Sequence, residues 1–254
     1  MMGRGGVGEP RGGTDEAHDL ARGVARALRH VLGDDLVAVY LHGSAALGGF
    51  LRERSDLDIL ALCRADLTDG QVALVPDALT PLSYPAGGLE FSLMTAAEAA
   101  APTLPAPRFE LHVIAGRSDG AGRVVDGRGR GGDSDLVLHL TVCRACGITL
   151  AGPPPGETIA AIPHEVVLPV AREEIAWARV HAPLEYLVLA SARVWLFAAE
   201  RRLASKIAAG EWALERWDDP AVLASALTLQ RGGRAAIDPA AAERLANYAE
   251  HVAS

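Results

Sequence analysis

Between Leu36 and Leu60 the chain reads LVAVYLHGSAALGGFLRERSDLDIL, and no other stretch restricts the possible fold so tightly. The apolar run Leu36 to Leu41 predicts a strand that delivers the chain into Gly43-Ser44. A short small-residue turn of helix follows, and a second strand then carries Asp56 and Asp58. Side chains two apart on a strand share a face, so Leu57 and Ile59 are expected in a core while the two carboxylates point together the other way. Hard oxygen ligands held this close suit Mg²⁺, which keeps waters and substrate phosphates as its remaining ligands. Gly43 lets backbone approach a phosphate closely. Ser44, near a helix N-terminus, can offer its hydroxyl and its N–H to a phosphate oxygen.

Taken alone, Asp-x-Asp on an amphipathic strand is ordinarily a solvated face. The linked order changes the reading: strand, Gly-Ser, short helix, a GGF turn, then Ser-Asp-Leu-Asp-Ile. This order resembles the signature of the DNA polymerase β-like nucleotidyltransferase superfamily. Further on, Leu89 to Leu93 alternates cleanly, placing Leu89, Phe91 and Leu93 on one face and Glu90 with Ser92 on the other. An isolated Glu90 would ordinarily be an exposed edge charge. Beside the aspartates it becomes a candidate third carboxylate, able to take the proton from an attacking hydroxyl.

The remaining chain predicts two modest domains. A Gly-rich tail occupies 1–13, an α/β (α+β) domain with a mixed sheet 14–152, and an all-α helical bundle 157–254. Thr14 to Leu32 reads as a capped helix. Ala73 to Ala78 and Pro81 to Pro85 read as turn-rich, and Arg108 to Ile114 reads as a strand. Gly116 to Gly132 reads as a flexible Gly/Arg-rich loop. Asp133-Ser134-Asp135 reads as the N-cap and first turn of a helix to about Cys146, its acids capping groups rather than metal ligands. Consecutive prolines at 153–155 mark the cut between domains. Beyond it lie helical segments near His164–Val180, Leu184–Arg202, Ser205–Trp217, Pro220–Gln230 and Pro239–Val252, with Trp177, Trp195 and Trp212 expected in their core.

Composition narrows the function. No apolar run approaches the roughly 20 residues that span a bilayer, so a soluble, cytoplasmic chain with no membrane partner is expected. Cys63, Cys143 and Cys146 are too few for a disulfide framework, and the Cys143/Cys146 pair reads as helix cysteines rather than a zinc site. A net charge of −8 opposes a nucleic-acid partner and favours a small cationic one. Of 24 basic residues only Lys206 is lysine, which singles out a position where a compact ammonium is kept against a strong arginine bias.

Beyond the superfamily motif, the chain resembles the streptomycin/spectinomycin adenylyltransferases. The blocks LHGSAALGG, RSDLDIL, GGLEFSL, RFELHV, SDLVLHLTVCRACGITLAGP, LVLASARVWLF and KIAAGEWALERW fall in that family's order. The resemblance implies AMP transfer from ATP, with Mg²⁺, to a hydroxyl of an aminoglycoside or aminocyclitol; a monomer is expected. Carried over residue by residue, it implies that Ser44 and Ser55 contact phosphates and that Asp56 and Asp58 bind Mg²⁺. It makes Glu90 the catalytic base and sends Arg193 and Lys206 from the helical half to the triphosphate. Glu173, Glu174 and Glu185 are the candidate acids for the substrate's ammonium groups. Streptomycin-accepting members have a tryptophan where this chain has Gly116, and an acid near the position of Pro183. A tyrosine that contacts the nucleotide is replaced near Leu229. Spectinomycin is therefore favoured over streptomycin. The rival readings are transfer to a protein or tRNA acceptor, and a nucleotide-binding module without catalysis.

Overall fold

The computed structural model describes residues 13–254. Of the tail predicted at 1–13, all but Gly13 lies outside the described residues. Gly13 already belongs to the first helix, α1 (Gly13–Leu32). Six strands follow along the chain: β1 (Leu36–Leu41), β2 (Leu57–Cys63), β3 (Leu89–Thr95), β4 (Leu111–Ala115), β5 (Arg123–Asp126) and β6 (Ile148–Ala151). They form one sheet in the order β5-β4-β3-β2-β1-β6. β2 and β3 run parallel, with Asp58 opposite Glu90, and every other pairing is antiparallel. The mixed sheet expected from sequence is therefore present.

Both faces of the sheet are covered, which is why the strands are nearly continuous in apolar residues rather than strictly alternating. One face, with Leu57, Ile59, Phe91 and Leu93, packs against α1 and against α3 (Asp69–Leu79). The other, with Tyr40, Leu60, Leu62 and Met94, packs against α4 (Ala96–Ala100) and α5 (Leu136–Cys146). Asp58 and Glu90 share the parity of Leu60 and Met94, so they emerge on the α5 side of the sheet.

Several expectations are corrected. The helix α3 begins before the stretch read as turns and runs into it as far as Leu79; it is opened by a capping box in which Thr68 and Gln71 exchange side-chain to backbone hydrogen bonds, and it carries Pro76 in its interior. The residue pattern was hidden by that proline, which costs one backbone hydrogen bond while tertiary packing of Val75 and Leu79 keeps the helix intact. The predicted Gly/Arg loop holds β5, an edge strand paired to β4, and β4 itself starts three residues later than expected. The segment after β6 is tied down: the Tyr40 hydroxyl donates to the Pro153 carbonyl at 2.9 Å and lies 2.7 Å from the Thr158 hydroxyl. It also contains a short turn of helix, α6 (Pro155–Thr158), opened by a proline where a missing N–H costs nothing.

The helical segments fall close to expectation as α7 (His164–His181), α8 (Leu184–Glu200), α9 (Lys206–Leu214), α10 (Pro220–Gln230) and α11 (Pro239–Val252). Four of these surround α8, whose buried Leu187, Val188, Ala192, Trp195 and Leu196 form the centre of a second core. Trp195 and Trp212 meet edge to face at 4.9 Å. Trp177, expected in the core, is 52% exposed on α7. A helical period places it beside the buried stripe of Ile175 and Ala178, not within it.

Candidate active site

β1 ends at Leu41 and the chain turns sharply at Gly43, which has φ +57° and opens the short helix α2 (Gly43–Ala46). A Cβ on Gly43 would sit 1.8 Å from Oδ2 of Asp58, so only glycine lets this backbone lie against the carboxylate. The Ser44 N–H donates to Asp58, and the Ser44 hydroxyl is buried with no partner. The Ser55 hydroxyl oxygen accepts the Leu51 N–H at 3.0 Å, which shapes the loop into β2. Asp56 lies one residue before β2 rather than within it, held in place where Gly87 approaches its backbone too closely for any Cβ.

Asp56, Asp58 and Glu90 converge, with one carboxylate oxygen from each within 4.8 Å of the others. Burial first, then the charges of Asp56 and Glu90, push the Asp58 carboxyl well above the usual range. Burial likewise raises Glu90, against the pull of His139. Three acids crowded into a desolvated corner, beside an unpartnered serine hydroxyl, fit a hard divalent cation. The chemistry of the oxygen donor set supports the Mg²⁺ expected there.

α5 adds what the linear reading missed. Asp135 stands at the N-cap of α5, yet its side chain makes no cap hydrogen bond. It pairs instead with Nε2 of His139 at 3.3 Å, and the same nitrogen lies 3.6 Å from Oε1 of Glu90. Burial opposes the charged ring most strongly. The hydrogen bond and charge of Asp135, with Glu90 and Asp58 beyond, outweigh it and push His139 up to about 10. The i, i+4 spacing of Asp135 and His139 was the available signal, since it sets both on one face of a helix. His42, at the mouth of β1, is buried against His139 with ring centroids 5.2 Å apart.

The helical half supplies the cations. Arg193 of α8 feels the charges of Asp58 and Asp135, and its Nε is buried without a partner while its Nη2 pairs with Glu174. Lys206, the first residue of α9, has its ammonium 4.0 Å from the centroid of the Tyr186 ring. Burial, then the nearby Arg193, lowers its pKa to about 8, although Asp56 and Asp58 are near enough to oppose the shift. Gly49, in the turn after α2, packs so closely on Ser205 that a Cβ would lie 2.5 Å from the serine Cβ. That contact sets the N-terminus of α9 against the turn after α2.

The three candidate substrate acids are differently placed. Glu185 is paired with Arg54 at 3.2 Å and Glu174 is bound to both Arg193 and the Tyr186 hydroxyl, whereas Glu173 is exposed and accepts from Ser134 at 3.3 Å.

A mixed sheet bearing a Gly-Ser turn and three convergent acids, with a helical half that brings two cations beside them, is the arrangement expected of a nucleotidyltransferase. Residues 154–254 match the family model "Aminoglycoside adenylyltransferase, C-terminal domain". Curated relatives named aminoglycoside (3'') (9) adenylyltransferase, from Klebsiella pneumoniae and Escherichia coli, are 27% identical over 194 residues, covering 71% of this chain and 72% of theirs. A crystal structure of spectinomycin adenyltransferase AAD(9) from Enterococcus faecialis, with ATP and spectinomycin, superposes with a TM-score of 0.74 at 18% identity over 93% of this chain and 98% of that one. The last likeness is one of fold.

Proposed function

We propose that the protein transfers AMP from ATP to a hydroxyl of an aminoglycoside or aminocyclitol, with Mg²⁺, releasing pyrophosphate. The observation that carries this reading is the meeting of Asp56, Asp58 and Glu90 within 4.8 Å of one another, on the side of the sheet where Arg193 and Lys206 arrive from the helical half. The names of the relatives point to the same reaction.

In this reading Asp56 and Asp58 hold the divalent cation, which supplies charge neutralisation for the phosphates when bound. The Ser44 hydroxyl orients a phosphate oxygen, and Ser55 keeps the neighbouring loop in shape. Glu90 takes the proton from the acceptor hydroxyl; burial raises its basicity towards neutral pH, where a general base is most useful. Arg193 and Lys206 offset the charge that builds on the departing pyrophosphate. Lys206 suits that task, because burial, Arg193 and its place at a helix N-terminus all disfavour its charge until an anion arrives.

Spectinomycin is favoured over streptomycin. Gly116 has φ +67°, and a Cβ there would lie 2.3 Å from the Tyr84 ring, so this backbone has no room for the tryptophan of streptomycin-accepting relatives. Glu185 is engaged by Arg54, which leaves the acid near Pro183 without a free substitute. Incubation with ATP, Mg²⁺ and each antibiotic, followed by mass measurement, tests the reading: spectinomycin should gain one AMP. Pyrophosphate released only with a protein or RNA acceptor would sink the antibiotic assignment, and adenylylated streptomycin without adenylylated spectinomycin would reverse the preference.

A further inference from the structure

Tyr186 stands in no motif, yet it joins the two cations of the helical half. Its ring lies beneath the Lys206 ammonium at 4.0 Å. Its hydroxyl donates to Oε1 of Glu174 at 2.9 Å, and the same oxygen pairs with Nη2 of Arg193. These contacts span three helices: Glu174 on α7, Tyr186 and Arg193 on α8, and Lys206 at the start of α9.

Two like charges in one half-buried place repel, and burial works against each of them. The ring face answers for Lys206, since a cation over an aromatic π-system is attracted without a second ion being spent. The hydroxyl answers for Arg193 indirectly, by fixing the carboxylate that holds the guanidinium. Leu, Val or Ala, which dominate the rest of α8, would perform neither task. Trp177 meets the same ring edge to face at 5.9 Å.

We propose that Tyr186 is a positioning residue for nucleotide binding, a shared seat that sets Lys206 with its ring and Arg193 through Glu174. This rests on the reading of Arg193 and Lys206 as triphosphate contacts. It predicts a graded outcome. Tyr186→Phe keeps the seat of Lys206 and frees only Glu174, so ATP affinity falls about threefold, the effect of one modest hydrogen bond. Tyr186→Leu removes both supports, so affinity falls at least about tenfold, as for loss of a partly desolvated cation–π contact together with that bond.

Lys206 is the sole lysine, so protein grown on ¹³C-lysine shows one Cε–Hε resonance without overlap. In the full chain that signal should be shifted upfield by the Tyr186 ring, remain so in Tyr186→Phe, and move to the ordinary lysine position in Tyr186→Leu. ATP binding by calorimetry, without acceptor, and a thermal melt complete the experiment. If Tyr186→Leu fails to fold, Tyr186→Met fills a similar volume without a ring and takes its place. An unshifted lysine signal in the parent protein overturns the proposal. So does equal ATP affinity in the parent and the ringless variant. A parent protein that binds no ATP yet shows the upfield signal overturns the nucleotide role together with the proposed function, which separates that failure from the other two.

Discussion

Asp58 is the residue whose environment is least comfortable in the absence of a cation, because it is hemmed in by Asp56, Glu90 and the Gly43 backbone. Asp58→Asn removes one of three mutually repelling charges. It should lower turnover at least about 100-fold, as loss of a group that organises transition-state charge does. In EDTA the same variant should melt higher than the parent, because the repulsion it relieves exists only in the folded state. Calorimetry and a turnover assay on one preparation decide this, and a lower melting point would show that the three acids are not in conflict. Lys206 carries a pH prediction of definite sign. Its pKa is lowered to about 8, so the ammonium is charged below that pH and neutral above it. For the reaction with ATP, kcat/KM should therefore decline as pH rises through about 8. Lys206→Arg, whose guanidinium stays charged, should remove that alkaline limb. A limb unmoved by the substitution assigns it to another group.

At the scale of elements, two glycines set distances that a methyl group would change. Gly43→Ala puts a Cβ into Asp58 and forces a left-handed conformation costing about 1–2 kcal/mol, so Mg²⁺-dependent ATP binding should be lost. Gly49→Ala puts one into Ser205 at the start of α9, pushing Lys206 away from α2. That variant should fold and should weaken ATP binding several-fold while leaving the sheet's own stability intact. Equal binding would mean that α9 shifts freely relative to the turn. Thr68→Ala is a useful contrast: loss of the α3 capping box should cost about 1 kcal/mol of stability with unchanged kcat, because α3 covers the face of the sheet away from the acids.

At the scale of the whole molecule, the loop before the aspartates is tied to the helical half by polar contacts. Arg54, in the loop before the aspartates, reaches Glu185 at 3.2 Å and the Leu229 carbonyl at 2.9 Å. A single partly exposed pair of this kind contributes only about 1 kcal/mol. Its larger expected effect is on how the helical half sits over the acids. Arg54→Glu should raise the KM for ATP, and the exchange Arg54→Glu with Glu185→Arg should restore part of it. If the double variant is as poor as the single one, the pair does not orient the two halves.

Much of this was legible in the chain itself. Polarity two apart told which side of β2 and β3 the acids take, and the Pro, Gly and Asp breaks told where α7 to α11 begin and end, because both rules act between near neighbours. The short helix α3 escaped because its capping box lies outside the proline-marked stretch, and β5 because an edge strand of four residues carries little pattern of its own. Which groups complete the site was decided only by tertiary packing. Asp135 and His139 reach Glu90 because α5 lies on the same face of the sheet, and Tyr186 meets Lys206 because α8 and α9 fold back on each other. Local pattern determines the direction of a side chain, but the partner waiting there comes from a distant part of the chain and is set by how the layers pack.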